Sequence, residues 1–208
     1  QKLDVVGTVN ATALSGPLTG DVTGNLAGNI TSSGANTMGT LTIAGTLTGK
    51  NILPDENLSY DIGSTTKKYN TVYAKATSAQ YADLAEKYEA DCGTEVGDVV
   101  MLGGHAEITK CNKELCDQVF GVVSDSPAFL MNAQAGNNDT HPMIALKGRV
   151  MVKLVGTGKA GDRVVSAGNG EARVAEIDEC TAFNTIGRLI KHKYNEETTL
   201  TECVIGVN

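Results

Sequence analysis

The residues of this 208-residue chain with the types for chemistry are five cysteines, three histidines and a few Ser–Asp and carboxylate pairs. Cys92, Cys111, Cys116, Cys180 and Cys203 form no C-x-x-C, and His105, His141 and His192 are scattered among them, so no zinc-ligand spacing appears. An odd number leaves at least one thiol unpaired. The cysteines read as small buried hydrophobes of a protein assembled in a reducing cytoplasm. Ser124-Asp125-Ser126, in "GVVSDSP", lacks the G-x-S-x-G elbow of an activated serine and reads as a turn before Pro127. His141, ahead of Pro142, reads as an exposed loop residue. "GNGEARV" from Gly168 lacks the last glycine of a phosphate-binding loop and opens a strand-like run, which makes it a hairpin turn. Asp83/Glu86 and Glu176/Asp178 could pair as acid and base, but read as solvated neighbours. Lys67-Lys68 and the "KHK" of Lys191, His192 and Lys193 read as solvated faces. No catalytic group, metal or cofactor is expected from these residues.

The elements that would position such groups divide into three zones. Residues 1–53 carry four charges, Lys2, Asp4, Asp21 and Lys50, and no aromatic residue. Leu14, Leu18, Val22, Leu26 and Ile30 recur in step with Gly16, Gly20, Gly24 and Gly28. A helix with a glycine in each turn loses about 1 kcal/mol per glycine relative to alanine, so short extended pieces joined by glycine turns fit better. Such a chain exposes a thin apolar stripe that copies wound about a common axis can bury. Residues 54–90 read as a collar. Two short strands flank a loop at Gly63 to Lys68, and a helix capped by Ser78 follows. Its Tyr81, Leu84, Ala85 and Tyr88 fall at helical spacing, with Asp83, Glu86 and Lys87 on the wet side.

Residues 91–208 read as a β-structured head. Strands are expected in "GDVVML", "DQVFGVVS", "MIALKGRVMVKLVG", "GDRVVSA", "EARVAE", "TIGRLIK" and "ECVIGVN", building a small antiparallel barrel or sandwich. An internal echo runs through them. Gly97-Asp98 matches Gly161-Asp162 at an offset of 64, Cys116 falls opposite Cys180, and "VFGVVS" resembles "TIGRLI", which implies two related β units. Exposed loops around Gly103 to Glu107 and Ala133 to Thr140 are candidates for outside contact. The fold class is therefore mainly β: a glycine-rich trimeric β shaft, a short helix at the collar and a small antiparallel β head. A formal charge of -7 supplies no excess of cations for nucleic acid. No run approaches the roughly 20 apolar residues of a membrane-spanning helix, so no such insertion is expected. The shaft pattern opens without a start signal, and the chain reads as part of a longer polypeptide.

The stretch "YDIGSTTKKYNTVYAKATSAQYADLAEKYEAD" resembles a junction in tail-fibre and appendage proteins of tailed bacteriophages, the cyanophage kind especially. The opening "LDVVGTVNATALSGPLTGDVTGN" is similar to the shaft of such fibres. The C-terminal half, through "VFGVVSDSPAFLMN" and "ALKGRVMVKLVG", resembles the intramolecular-chaperone autoprotease domain of some phage neck appendages. That family registers three chains and can cut itself off at a Ser-Asp bond. The matching bond here joins Ala82 to Asp83, with Glu86 as the nearby acid, and Ala82 brings no hydroxyl to the position of the serine. The resemblance implies a homotrimeric virion fibre or appendage, assembled in the host cytoplasm. Its head would meet a host cell-surface receptor or another virion protein. Tyr60, Tyr69 and Tyr73 would lie buried between chains, and Tyr81, Leu84 and Tyr88 would form a trimer-facing or head-docking stripe. Two other readings stand beside it: a self-cleaving chaperone for trimerisation, and a monomeric carbohydrate-binding module.

Overall fold

A computed structural model describes residues 44–49, 51–54, 56–57, 59–74, 83–91 and 93–206. The repeat of Leu14 to Ile30, the Ser78 cap, Tyr81 and Ala82 lie outside the described residues. The chain divides into two units, Gln1–Tyr69 and Asn70–Asn208.

In the first unit the described residues form no strand. The expected loop is present: Gly63 takes a φ of 90°, the Ser64 amide donates to the Lys67 carbonyl at 2.8 Å, and the Lys67 amide donates to Ser64 Oγ at 3.0 Å. The two flanking strands are not. A hairpin by itself is marginal in water, and here neither arm buries a face that would hold it.

The second unit is all β among its described residues, with no helix. Its strands are β1 (Asp83–Lys87), β2 (Val99–Leu102), β3 (Ile108–Lys110), β4 (Val119–Ser124), β5 (Phe129–Met131), β6 (Met143–Leu154), β7 (Arg163–Gly168), β8 (Glu171–Val174), β9 (Thr185–Leu189) and β10 (Thr199–Ile205). All seven strand segments expected of the head are found; β3 and β5 are additional. The expected collar helix is overturned, because its described part is β1. β1 lies between two partners, antiparallel to β6 and parallel to β5, and their hydrogen-bonding edges outweigh the helix preference of "DLAEK". Side chains then alternate with period two. Asp83, Ala85 and Lys87 are buried on one face, so Asp83 and Lys87 are not on a wet side.

Ladder by ladder, the strands close two rings that share β6. In one, the C-terminal half of β6 pairs with β10, β10 with β9, β9 with β7, β7 with β8, and Leu154 returns to Ala172 of β8. In the other, β1 pairs with the N-terminal half of β6, which pairs with β4, then β2, then β3, and a parallel bridge from Ile108 to Ala90 completes the circuit.

The two rings repeat residue for residue. Val100 faces Gly121 and Lys110 in one; Val164 faces Gly187 and Val174 in the other. Each has a bulge one residue further on, at Val100/Met101 and Val164/Val165. The parallel closure by Ala90–Ile108 corresponds to Leu154–Ala172. The echo of Gly97-Asp98 and Gly161-Asp162 is one turn used twice: each glycine has positive φ, and each aspartate amide donates 3.0 Å back to the carbonyl of Glu95 or Lys159. Cys116 and Cys180 differ, the first buried and the second half-buried in a loop.

Packing follows the same duplication. Val100, Ile108, Val123 and Ile144 fill the first ring with Tyr88, Ala90, Phe120 and Leu146 around them. The equivalent places of the second ring hold Val164, Ala172, Leu189 and Cys203, with Val152, Leu154, Ile186 and Ile205. Val99, Val122 and Ala145, on the outward face of the first ring, join this second cluster and seal the rings together.

Candidate functional site

β1 carries the motif that sequence resemblance marks as a cleavage site. Residues three apart on a strand point to opposite faces. Asp83 is buried with Ala85 and Lys87, while half-buried Glu86 lies on the other face with Tyr88. On the expected helix the two carboxylates would have shared a face; on the strand they cannot close on one substrate atom together.

Each face has its own partners. Tyr88 donates its hydroxyl to Glu86 Oε2 at 2.8 Å, and its ring meets Phe120 edge-on at a centroid distance of 5.0 Å. Burial, then this hydrogen bond and the charge of Glu86, push the Tyr88 phenol up to about 12. On the Asp83 face, Lys87 Nζ donates to the Gly136 carbonyl at 2.6 Å, and Asn132 Nδ2 donates to the Lys87 carbonyl at 3.2 Å. The Asp83 carbonyl accepts from the Ala128 amide at 2.9 Å, whereas its Oδ2 is a buried atom without a hydrogen-bond partner among the described residues.

On the strand Ala85 leaves the face that Leu84 shares with Glu86 and Tyr88. Tyr88 packs into the first ring, Leu84 stands on the opposite, exposed side from Ala85, and Tyr81 lies outside the described residues. Tyr60, Tyr69 and Tyr73 are 61 %, 67 % and 96 % exposed in the single chain.

The remaining candidates settle into structural places. Ser124 is the buried last residue of β4, paired to Met143, and Asp125 accepts from Ser126 Oγ at 3.1 Å in the turn beyond. His141 is half-buried, a correction to the exposed loop position expected; its Nδ1 lies 3.0 Å from Thr140 Oγ1. Gly168-Asn169-Gly170, all with positive φ, make the β7–β8 hairpin turn. Glu176 and Asp178 are exposed. Cys111, Cys116 and Cys203 are buried, and burial pushes the Cys203 thiol up to about 12. Gly103 to Glu107 and Ala133 to Thr140 are mostly exposed.

Two buried charged groups were not legible. Asp98 is 1 % exposed and meets Lys153 Nζ at 2.7 Å and Lys110 Nζ at 2.9 Å, while its Oδ2 accepts from the Glu95 amide at 2.8 Å. Burial raises its pKa, but the hydrogen bonds from Lys153, the Glu95 amide and Lys110 outweigh it and hold the carboxyl below its ordinary range. Lys110 belongs to the first ring and Lys153 to the second, so Asp98 pins one to the other. Lys193 corrects the solvated reading of "KHK": it is buried, and its ammonium donates to the carbonyls of Gly156, Asn195 and Glu197 at 2.7, 2.8 and 2.7 Å. No local sequence pattern announces it, since those acceptors are backbone atoms of two loops.

No protein-family model matches the chain, and no curated protein does. Among solved structures it is similar to the pre-mature gene product 12 of bacteriophage phi29, at 16 % identity and a TM-score of 0.48 over 66 % of this chain. That likeness spans 23 % of the phi29 chain, so the present chain covers about a quarter of its length. It is also similar to the C-terminal fragment of the same gene product, at 16 % identity and a TM-score of 0.44, over 61 % of this chain and 100 % of the fragment.

Proposed function

We propose that the chain is a structural protein of a tailed-phage virion, a homotrimeric fibre or appendage that carries a duplicated β head. The observation that carries the reading is the run of Ile52, Leu53, Tyr60, Ile62, Tyr69 and Tyr73, apolar side chains left in water by a segment without strands of its own. Apolar groups spread over such a length are covered when copies meet about a common axis. The fibre-like sequence around Tyr60 to Asp91 supports the same assignment. In the trimer Tyr60, Tyr69 and Tyr73 fill the axis, and the head is held out toward a host-surface receptor or a neighbouring virion protein.

The head acts by contact and stays attached. Ala82 has no hydroxyl to attack a peptide bond, and Asp83 and Glu86 face opposite sides of β1. Light scattering of the full chain tests the assembly: three times the chain mass of 21.7 kDa is expected, and the mass of one chain overturns the reading in favour of a monomeric module. A denaturing gel of the assembled protein is expected to show one intact band. Fragments split near Asp83 would instead establish the self-cleaving chaperone.

A further inference from the structure

The connection between the last two strands of each ring is where the duplication breaks down. In the first ring, residues 125–142 run back over their own barrel and add β5 to the edge of β1. In the second, residues 190–198 are shorter and hold Tyr194 outward, 85 % exposed. This ring is open to water, and the loop that carries it is tied down at the preceding residue. Lys193 beside it is fixed through three carbonyls, and its own backbone makes a two-way bridge with Gly158 at 3.0 and 2.8 Å. His192 packs against Tyr194 with centroids 5.9 Å apart, and its Nδ1 accepts from the Ala160 amide at 3.3 Å. A loop tied down at Lys193 meets part of the ordering cost of the exposed ring it carries before any ligand arrives.

Grooves flank the ring on both sides. One, of about 710 Å3 and open to solvent, is lined by Met151 and Leu200 and by the polar Asn195, Thr201 and Glu202. The other, of about 450 Å3, runs past Thr157, Lys159 and Asp162. The larger is within the range of small-molecule sites, roughly 300–1,000 Å3. We propose that Tyr194 and these grooves form a binding site for a neutral saccharide. The C–H face of one sugar ring lies on the tyrosine, and its hydroxyls exchange hydrogen bonds with the amide, hydroxyl and carboxylate groups alongside.

The charges select against other occupants. Beside the larger groove Lys191 is paired with Glu202 at 3.3 Å and the Lys193 ammonium is saturated by carbonyls, which disfavours a phosphate or a carboxylate there; the exposed Lys159 lines only the smaller groove. This site does not depend on the virion reading, since it lies wholly within the second ring.

Saturation-transfer NMR on the full chain tests the proposal, with methyl glucoside, methyl galactoside, mannose, rhamnose and N-acetylglucosamine as neutral probes and N-acetylneuraminic acid as the anionic one. Saturation of the ring protons of at least one neutral probe is expected. Tyr194→Ala should weaken it at least about tenfold, the loss usual for truncating an aromatic anchor, and Tyr194→Phe should keep it. Circular dichroism of Tyr194→Ala should match the parent, because the ring is exposed. Four results would each overturn the proposal: no transfer to any neutral probe, transfer to the acidic sugar alone, transfer unchanged in Tyr194→Ala, or a changed mass of that variant in light scattering, which would mean that a second copy covers the ring.

Discussion

Gly121 in β4 and Gly187 in β9 occupy the same place in the two rings, and substituting each by alanine tests whether the duplication is energetic as well as geometric. A Cβ at Gly121 would stand 2.6 Å from the Ala145 carbonyl oxygen and crowd the Ile144 side chain. At Gly187 it would press closer still on the Val204 carbonyl oxygen, 2.9 Å from the Val204 carbonyl carbon and 3.0 Å from Ile205 Cα. Neither glycine has a positive φ, so alanine recovers roughly 0.5–1 kcal/mol of unfolded-chain entropy. Against this stands overpacking, usually about 1–3 kcal/mol and more where the obstacle cannot rotate away. At Gly187 every obstacle is backbone of the paired strand β10, so a net loss of about 3 kcal/mol is expected; at Gly121, where Ile144 can turn, about 2 kcal/mol. Gly93 has no positive φ and nothing within 4 Å of its Cβ position, and alanine there should change stability by less than about 0.5 kcal/mol. The assay is urea unfolding followed by circular dichroism, because the chain has no tryptophan. With a slope of about 2 kcal/mol per molar, the Gly187→Ala midpoint should fall by roughly 1.5 M. Both variants should shift a single transition, since the rings share β6 and one core cluster spans them. Losses below about 1 kcal/mol at both positions, with Gly93→Ala equally costly, would mean that the paired strands do not confine these two glycines.

Asp98→Ala leaves two ammoniums facing a gap; because their side chains are 21 % and 29 % exposed and can take up water, the cost should be about 3 kcal/mol, at the lower end for a broken buried pair. The folded pKa of Asp98 is depressed, so its contribution is fully present above the unfolded value near 3.9 and is lost as pH falls through the folded value; an acid titration of stability should be shallower below pH 4 in Asp98→Asn than in the parent. Lys193→Met strands three carbonyls, two of them in exposed residues that water can reach, and should cost roughly 2–4 kcal/mol in urea unfolding while freeing amide exchange across residues 190–198. Among the cysteines of the described residues, Cys180 should react first with a thiol reagent in the native protein, and Cys111 and Cys203, whose thiols burial pushes up to about 11 and about 12, only on unfolding; mass mapping of the labelled peptides reads the order.

The strands of the head were legible because Val- and Ile-rich runs punctuated by glycine and asparagine leave few other choices. β3 and β5 escaped at three residues each, too short for alternation to show. The miss at β1 has a different cause. In "DLAEK" every residue after Asp83 is a strong helix former and the apolar residues fall at helical spacing, and local preference favours the helix until the edges of β5 and β6 are in place. A signal was available upstream of the echo: Leu84 to Ala90 corresponds to Gly148 to Leu154, and "GRVMVKL" is strand-like without ambiguity. Extending the repeat by those residues would have placed Asp83 and Glu86 on opposite faces.

Lys193 and Tyr194 could not be reached even so, because they belong to a segment with no counterpart. Pairing and packing bind each shared position twice, once to its ladder and once to its core, as Gly121 and Gly187 show. A connection between the fourth and fifth strands of a ring answers to neither, and its length can change without disturbing a register. The first ring spends that freedom on β5, which covers the edge of β1. The second ring adds no such strand among the described residues, and the same connection holds an aromatic ring in solvent. A buried ammonium and a bridge to Gly158 then fix what would otherwise be a loose loop. Where two copies of one unit part company is therefore where contact with another molecule is best sought, and Tyr194 stands at that place.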